Sequence, residues 1–142
     1  LILKNIDDDN AGRYRQQNVL ISGATSTPPD YTLLNDKMAQ LIDWYNSDAH
    51  KLHPIERAAK VHADFVGIHP FIDGNGRTSR LLMNLELLKA GYPPCVITVE
   101  NRLAYYEALD QWMAYSNTEL FINLVASVVR DGFKPYQIVL GI

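Results

Sequence analysis

Residues 69–80 read His-Pro-Phe-Ile-Asp-Gly-Asn-Gly-Arg-Thr-Ser-Arg. His69 is the side chain here whose ordinary pKa, about 6.5, allows proton transfer near neutrality. Asp73 is a hard oxygen ligand, and one carboxylate beside phosphate oxygens and waters is the usual protein contribution to a Mg²⁺ site. Gly74-Asn75-Gly76 lies between two apolar helical patterns, where a glycine-rich turn into a helix start aims several backbone N–H groups at one point and favours an anion. Arg77 and Arg80 are three apart, hence neighbours on one helix face. In a first helical turn two cations oppose the helix dipole. A polyphosphate resolves that conflict, because guanidinium forks match phosphate oxygens. Base, metal ligand, anion loop and paired arginines together suffice to transfer a phosphate-containing group to a hydroxyl.

Taken singly, each feature has an ordinary reading. His69 could be a hydrogen-bonded structural histidine, Asp-Gly-Asn-Gly a turn, and the arginines surface ion-pair members. The glycines do not form a P-loop, since no Lys-Ser/Thr follows.

Helices must hold this loop. One is expected from Asp30, a capping residue, to Asn46, burying Leu34, Met38, Leu41, Ile42 and Tyr45. A second begins at Pro54, suited to a first helical position, and runs to about Ile68 with Ile55, Ala58, Ala59, His62, Phe65 and Val66 as its stripe. Pro70 disfavours helical geometry at His69. A third starts near Arg77 and carries Leu81, Leu82, Leu85 and Leu88 to Gly91. Two more are expected over 101–115 and 118–131. Tyr14–Ser22 reads as extended and Gly23–Pro29 as a loop, a small hairpin or flap; the apolar tail Pro135–Ile142 reads as a strand. The fold class expected is all-α with a small β-hairpin flap. His62 reads as a hydrogen-bonded helix histidine, His50 and His53 as exposed, and Trp44 and Trp112 as core residues.

The 142 residues suit one domain, and 47% hydrophobic with 20% charged residues is ordinary for a globular chain. A net charge of −3 argues against nucleic-acid binding by this domain, and no apolar run is long enough for a bilayer span. The lone cysteine, Cys95, excludes an internal disulfide; it reads as a structural residue in a short extended segment, and a reducing, cytoplasmic setting is expected. The chain opens on Leu1 rather than Met, so a piece of a longer protein is expected.

Residues 69–80 also resemble the signature of the Fic family (filamentation induced by cAMP), His-x-Phe-x-Asp/Glu-Gly-Asn-Gly-Arg-x-x-Arg. Every specified position is filled: His69, Phe71, Asp73, Gly74, Asn75, Gly76, Arg77 and Arg80. Gly12-Arg13-Tyr14-Arg15, Thr27-Pro28-Pro29, the helix ending at Ile68, and Gly91-Tyr92-Pro93 extend the similarity.

The resemblance implies a protein adenylyltransferase that moves AMP from ATP to a Ser, Thr or Tyr hydroxyl and releases pyrophosphate. It implies His69 as base, Asp73 as Mg²⁺ ligand, and Gly74, Asn75, Gly76, Arg77 and Arg80 around the phosphates, with Phe71 anchoring the loop. Tyr105 and Tyr106 fall where relatives line the adenine pocket, with core packing as the other reading. The flap, about Val19 to Tyr31 and including Leu20, Ile21, Ser22 and Gly23, resembles a hairpin on which a target segment docks as an extended strand. Relatives carry an inhibitory Ser/Thr-x-x-x-Glu-Gly/Asn helix whose Glu pairs with the residue matching Arg80. That motif does not occur in these 142 residues, so an upstream segment or a separate antitoxin chain is the expected partner. Alternatives are UMP or phosphate transfer, deAMPylation by the full-length protein, and a non-catalytic nucleotide-binding interaction module.

Overall fold

The computed structural model describes residues 2–142, and these form helices joined by extended loops. Helix α1 spans Leu34–Ser47, α2 Pro54–Ile68, α3 Asn75–Lys89, α4 Arg102–Tyr115, α5 Glu119–Gly132 and α6 Lys134–Leu140. The all-α expectation holds.

Helix α2 is the axis of the bundle and packs against α1, α3, α4 and α5. It can do so because Ala58, Ala59 and Ala63 are fully buried and keep its surface low. Around them close Met83 and Leu87 of α3, Leu109 of α4, and Phe121, Val125 and Val129 of α5. At Gly67 the approach of α4 is tight: a Cβ there would lie 3.2 Å from Met113 Sδ. The start of α2 is set locally. Pro54 occupies its first turn, His53 Nδ1 accepts from the Ile55 N–H, and Glu56 accepts from the His53 N–H.

Several expectations need correction. The tail is helix α6 rather than a strand; Pro135 in its first turn presets helical φ. Helix α3 begins at Asn75, two residues before Arg77. Its leucine stripe faces out: Leu81, Leu85 and Leu88 are exposed, and the buried face is Ser79, Met83, Glu86 and Leu87. That face can bury a carboxylate because Glu86 meets Arg57 Nε at 2.8 Å, Lys89 Nζ at 2.9 Å and the Tyr45 hydroxyl at 2.6 Å. Ile42 is also exposed, because α1 contributes chiefly Leu34 to the interior. Trp44 and Trp112 are half-buried walls of a surface cleft, with Lys60 over the Trp44 ring and Trp112 Nε1 donating to Asp64.

No strand ladder occurs among the described residues. Around Cys95 a side chain replaces the missing partner strand: Asn84 Oδ1 accepts from the Cys95 N–H at 2.7 Å, and Asn84 Nδ2 donates to its carbonyl. Burial pushes the Cys95 thiol up to about 12, which suits an inert packing residue. No helix is long and apolar enough to cross a membrane among the described residues.

Candidate active site

The site begins where α2 ends. His69 is the C-cap residue, at φ 53° and ψ 55°, a left-handed conformation rare for a non-glycine residue. Two effects hold it there. Pro70 disfavours right-handed helical geometry at His69, and the His69 N–H still donates to the Phe65 carbonyl at 3.1 Å. The left-handed turn swings the imidazole out of the helix stripe.

The tautomer follows from the ring's neighbour. His69 Nδ1 lies 3.1 Å from the Val66 carbonyl oxygen, which can only accept. Nδ1 therefore carries the proton, and Nε2 is left with a free lone pair. Burial lowers the His69 pKa most; the Val66 bond works the other way, and the positive charge of Arg15 lowers it further. The net depression keeps the ring neutral, the form required of a base.

Arg15 is the residue that sequence reasoning passed over. It appeared only within a resembling tetrapeptide, yet its side chain is buried and spent wholly on backbone carbonyls. Nε donates to His69 at 2.8 Å, Nη1 to Gln17 at 2.8 Å and Nη2 to Pro29 at 2.6 Å. The Arg15 N–H adds a bond to the Pro70 carbonyl at 2.9 Å. One guanidinium thus ties the end of α2 to both ends of the flap. Burial lowers its pKa, but arginine stays charged. Nothing in the Gly12-Arg13-Tyr14-Arg15 spacing marks this role, because burial is invisible in the sequence.

The loop after His69 is closed by Asn75. Its Oδ1 accepts from the Phe71 N–H at 2.9 Å, and its Nδ2 donates to the Phe71 carbonyl at 2.8 Å. The Asn75 side chain is therefore committed to the loop, and what it offers an anion is its backbone N–H. Phe71 packs against Phe65 and Tyr14. Gly74 is the N-cap of α3 at φ 86°, where a side chain would be strained, and it gives no side-chain cap. The first intrahelical bond runs from the Thr78 N–H to the Gly74 carbonyl. The N–H groups of Asn75, Gly76 and Arg77 precede it, so this helix end presents open donors.

The two arginines differ. Arg77 Nη2 pairs with Asp73 Oδ2 at 2.9 Å, and the other Asp73 oxygen accepts from the Gly74 N–H. Arg80 has no carboxylate partner among the described residues. Its guanidinium folds back over Gly76: a Cβ at Gly76 would lie 3.5 Å from Nη1. The uncompensated cation at this helix start is therefore Arg80.

A cavity of about 350 Å³ gathers His69, Gly76, Arg80, Tyr105 and Tyr106 with Ile21, Ser22, Gly23 and Ala24 of the flap. Tyr105 is buried and Tyr106 exposed, their rings edge to face at 5.2 Å. Asp73 lies outside this group, on a separate hollow with Ile2 and Leu82. Val19 and Leu20 line the flap's other side with Pro28. A larger cleft between Trp44 and Trp112 reaches Ile68 but is lined by none of residues 69–80. The flap is pinned to α4 by Asp110, whose carboxylate accepts from the Thr25 N–H and hydroxyl, each at 2.6 Å. At its base Asn18 accepts from the Tyr31 N–H and donates to Asp30.

Asp73 suits Mg²⁺ in one respect: it is a single exposed carboxylate, and no group of three or more acidic, His or Cys side chains forms a protein-only cage among the described residues. Mg²⁺ typically takes few protein ligands and keeps waters and phosphates.

The model of the Fic/DOC family matches residues 1–87, a span that includes His69 to Arg80. Over 127 residues, 89% of its length, the chain is 47% identical to a protein adenylyltransferase Fic from Nematostella vectensis, of which it spans 29%. It is 42% identical over 109 residues to the protein adenylyltransferase fic-1 of Caenorhabditis briggsae, spanning 21% of that protein. The fold is similar to that of a Fic-1 fragment from C. elegans, with a TM-score of 0.85 at 35% identity, covering 99% of this chain and 41% of that one. With an intact signature inside the matched span and the same helical frame around it, the chain belongs to the Fic/DOC family.

Proposed function

We propose that this chain is the catalytic core of a protein adenylyltransferase, transferring AMP from ATP to a Ser, Thr or Tyr hydroxyl of a target protein. One observation carries the reading. His69 holds its proton on Nδ1 against Val66, so Nε2 is a free acceptor in a cavity shared with the open α3 start and Arg80. The curated relatives named protein adenylyltransferase, at 42% and 47% identity, support the same activity.

Nε2 takes the hydroxyl proton as the oxygen attacks the α-phosphorus. The bond from that phosphorus to the bridging oxygen breaks, and pyrophosphate leaves with the electron pair. The N–H groups at the start of α3 and the Arg80 guanidinium bind phosphate oxygens, and Arg77 reaches the outer ones. Asp73 would hold Mg²⁺, which when bound neutralises phosphate charge. The Tyr105–Tyr106 wall takes the adenine. The target docks as an extended segment along Val19 to Gly23, whose backbone groups have no ladder partner among the described residues. An inhibitory carboxylate from elsewhere in the full protein, or from an antitoxin chain, would pair with Arg80.

The test is intact mass spectrometry after incubation with Mg²⁺ and ATP, UTP, CTP or GTP in turn. AMP is expected on the chain itself or on an added target. His69→Ala should lose the label by about 10²–10⁴-fold, the usual contribution of a general base. Labelling by that variant at the wild-type rate, or a UMP or phosphate adduct in place of AMP, overturns the reading.

A further inference from the structure

His62 sits at the centre of α2 and is fully buried, yet it has no part in the chemistry above. Its ring stacks on Phe121 at 5.2 Å and meets Tyr105 edge-on. Nε2 lies 2.9 Å from the Tyr105 hydroxyl, whereas Nδ1 has no partner at hydrogen-bonding geometry. Tyr105 is itself buried, and it lines the cavity with Arg80.

The direction of the bond follows from what surrounds it. A guanidinium has only donors, so a hydroxyl facing Arg80 must turn a lone pair toward it. Arg80 lines the same cavity as Tyr105; burial pushes the phenol pKa up, and the Arg80 charge pulls against it. The phenolic proton must then point the other way, to an acceptor. The neutral form of His62 supplies one at Nε2, with its own proton on Nδ1. Burial and the charge of Arg80 both keep this ring neutral. A protonated His62 would donate to Tyr105 and compete with Arg80 for the same oxygen.

We propose that His62 and Tyr105 are positioning residues for Arg80: His62 accepts the Tyr105 hydroxyl proton, and the oriented phenol oxygen holds the guanidinium where the outer phosphates of ATP bind. The chain of donors runs from Arg80 to Tyr105 to His62. It rests on the adenylyltransferase reading, and it predicts selectivity for the triphosphate rather than for the base. A histidine that merely fills space would not discriminate between nucleotides.

The experiment is titration calorimetry of the chain with ATP plus Mg²⁺ and, separately, with AMP. Tyr105→Phe keeps the ring and removes the hydroxyl; His62→Leu removes the acceptor; His62→Gln restores an amide oxygen near the Nε2 position. Tyr105→Phe and His62→Leu should each weaken ATP by about tenfold, the scale of one hydrogen bond to a charged group, and each should cost ATP more than it costs AMP. His62→Gln should recover most of the loss, and the double variant should be no weaker than either single one. Equal losses for AMP and ATP, unchanged ATP affinity, or losses that multiply in the double variant overturn the relay. Should His62→Leu fail to fold, Tyr105→Phe still decides. If these outcomes fail while the wild type labels with AMP, only the relay falls. If the wild type binds neither nucleotide, the functional reading falls with it.

Discussion

Arg15→Lys preserves charge and approximate length while removing the fork. In the wild type, three side-chain N–H groups serve three carbonyls, those of His69, Gln17 and Pro29, at 2.6–2.8 Å. These carbonyls diverge, and a lysine ammonium is one compact point on a flexible stem. It can meet one of them well, leaving two carbonyls in need of water or a new partner. An unpaired buried carbonyl costs about 1–3 kcal/mol. Partial hydration offsets some of this, so a loss of about 3 kcal/mol is expected. For a chain of this size that corresponds to a drop of about 10 °C in Tm. The larger effect should be on function, because the same group fixes His69 in its left-handed turn and both ends of the flap. At a temperature where the variant remains folded, transfer to a protein target should fall by more than about tenfold, since small misplacements of reacting groups are costly. Thermal melting followed by circular dichroism reads the first quantity, and labelling at low temperature reads the second. A Tm within 2 °C of wild type together with full labelling would refute the assignment of Arg15 as the clamp.

Two further outcomes follow from the same geometry. His62 is held neutral, with its pKa down at about 4 against about 6.5 in the unfolded chain. A depressed histidine pKa means that the unfolded state binds more protons, so stability is full above pH 6.5 and falls as pH drops toward 4, by about 3 kcal/mol in all. Chemical denaturation between pH 7 and pH 4 should show this slope in the wild type and a reduced one in His62→Gln; equal slopes would remove His62 as the source. Gly74→Ala places a Cβ at φ 86° and 3.2 Å from Ile2 Cγ2, costing about 1–2 kcal/mol from the backbone alone. An unchanged melting temperature and ATP affinity would show that α3 does not need the glycine cap.

Some of this protein was legible without a structure because the physics involved is local. Helix α2 could be read from Pro54 and its stripe of Ala58, Ala59, His62, Phe65 and Val66, since a 3.6-residue period reports a buried face directly. The break at His69 could be read from Pro70, and the anion-favouring loop from Gly74 and Gly76. The stripe on α3 was misleading because periodicity identifies an apolar face but not whether this chain covers it. Leu81, Leu85 and Leu88 lie outward, while Glu86 is buried by partners on α1 and α2. The tail could not be read because a short apolar run after Pro135 suits a strand or a helix equally.

Residue types and spacing are enough to show which groups are present for chemistry: an imidazole, a carboxylate, a glycine turn and two guanidinium groups within one loop and helix start. The fold sets how they differ. It put the proton of His69 on Nδ1, spent Arg77 on Asp73, left Arg80 uncompensated, and brought Arg15 and the His62–Tyr105 pair to the site from distant positions. Tautomer, charge balance and burial depend on neighbours across the fold, and contacts between residues tens of positions apart leave no mark in local spacing.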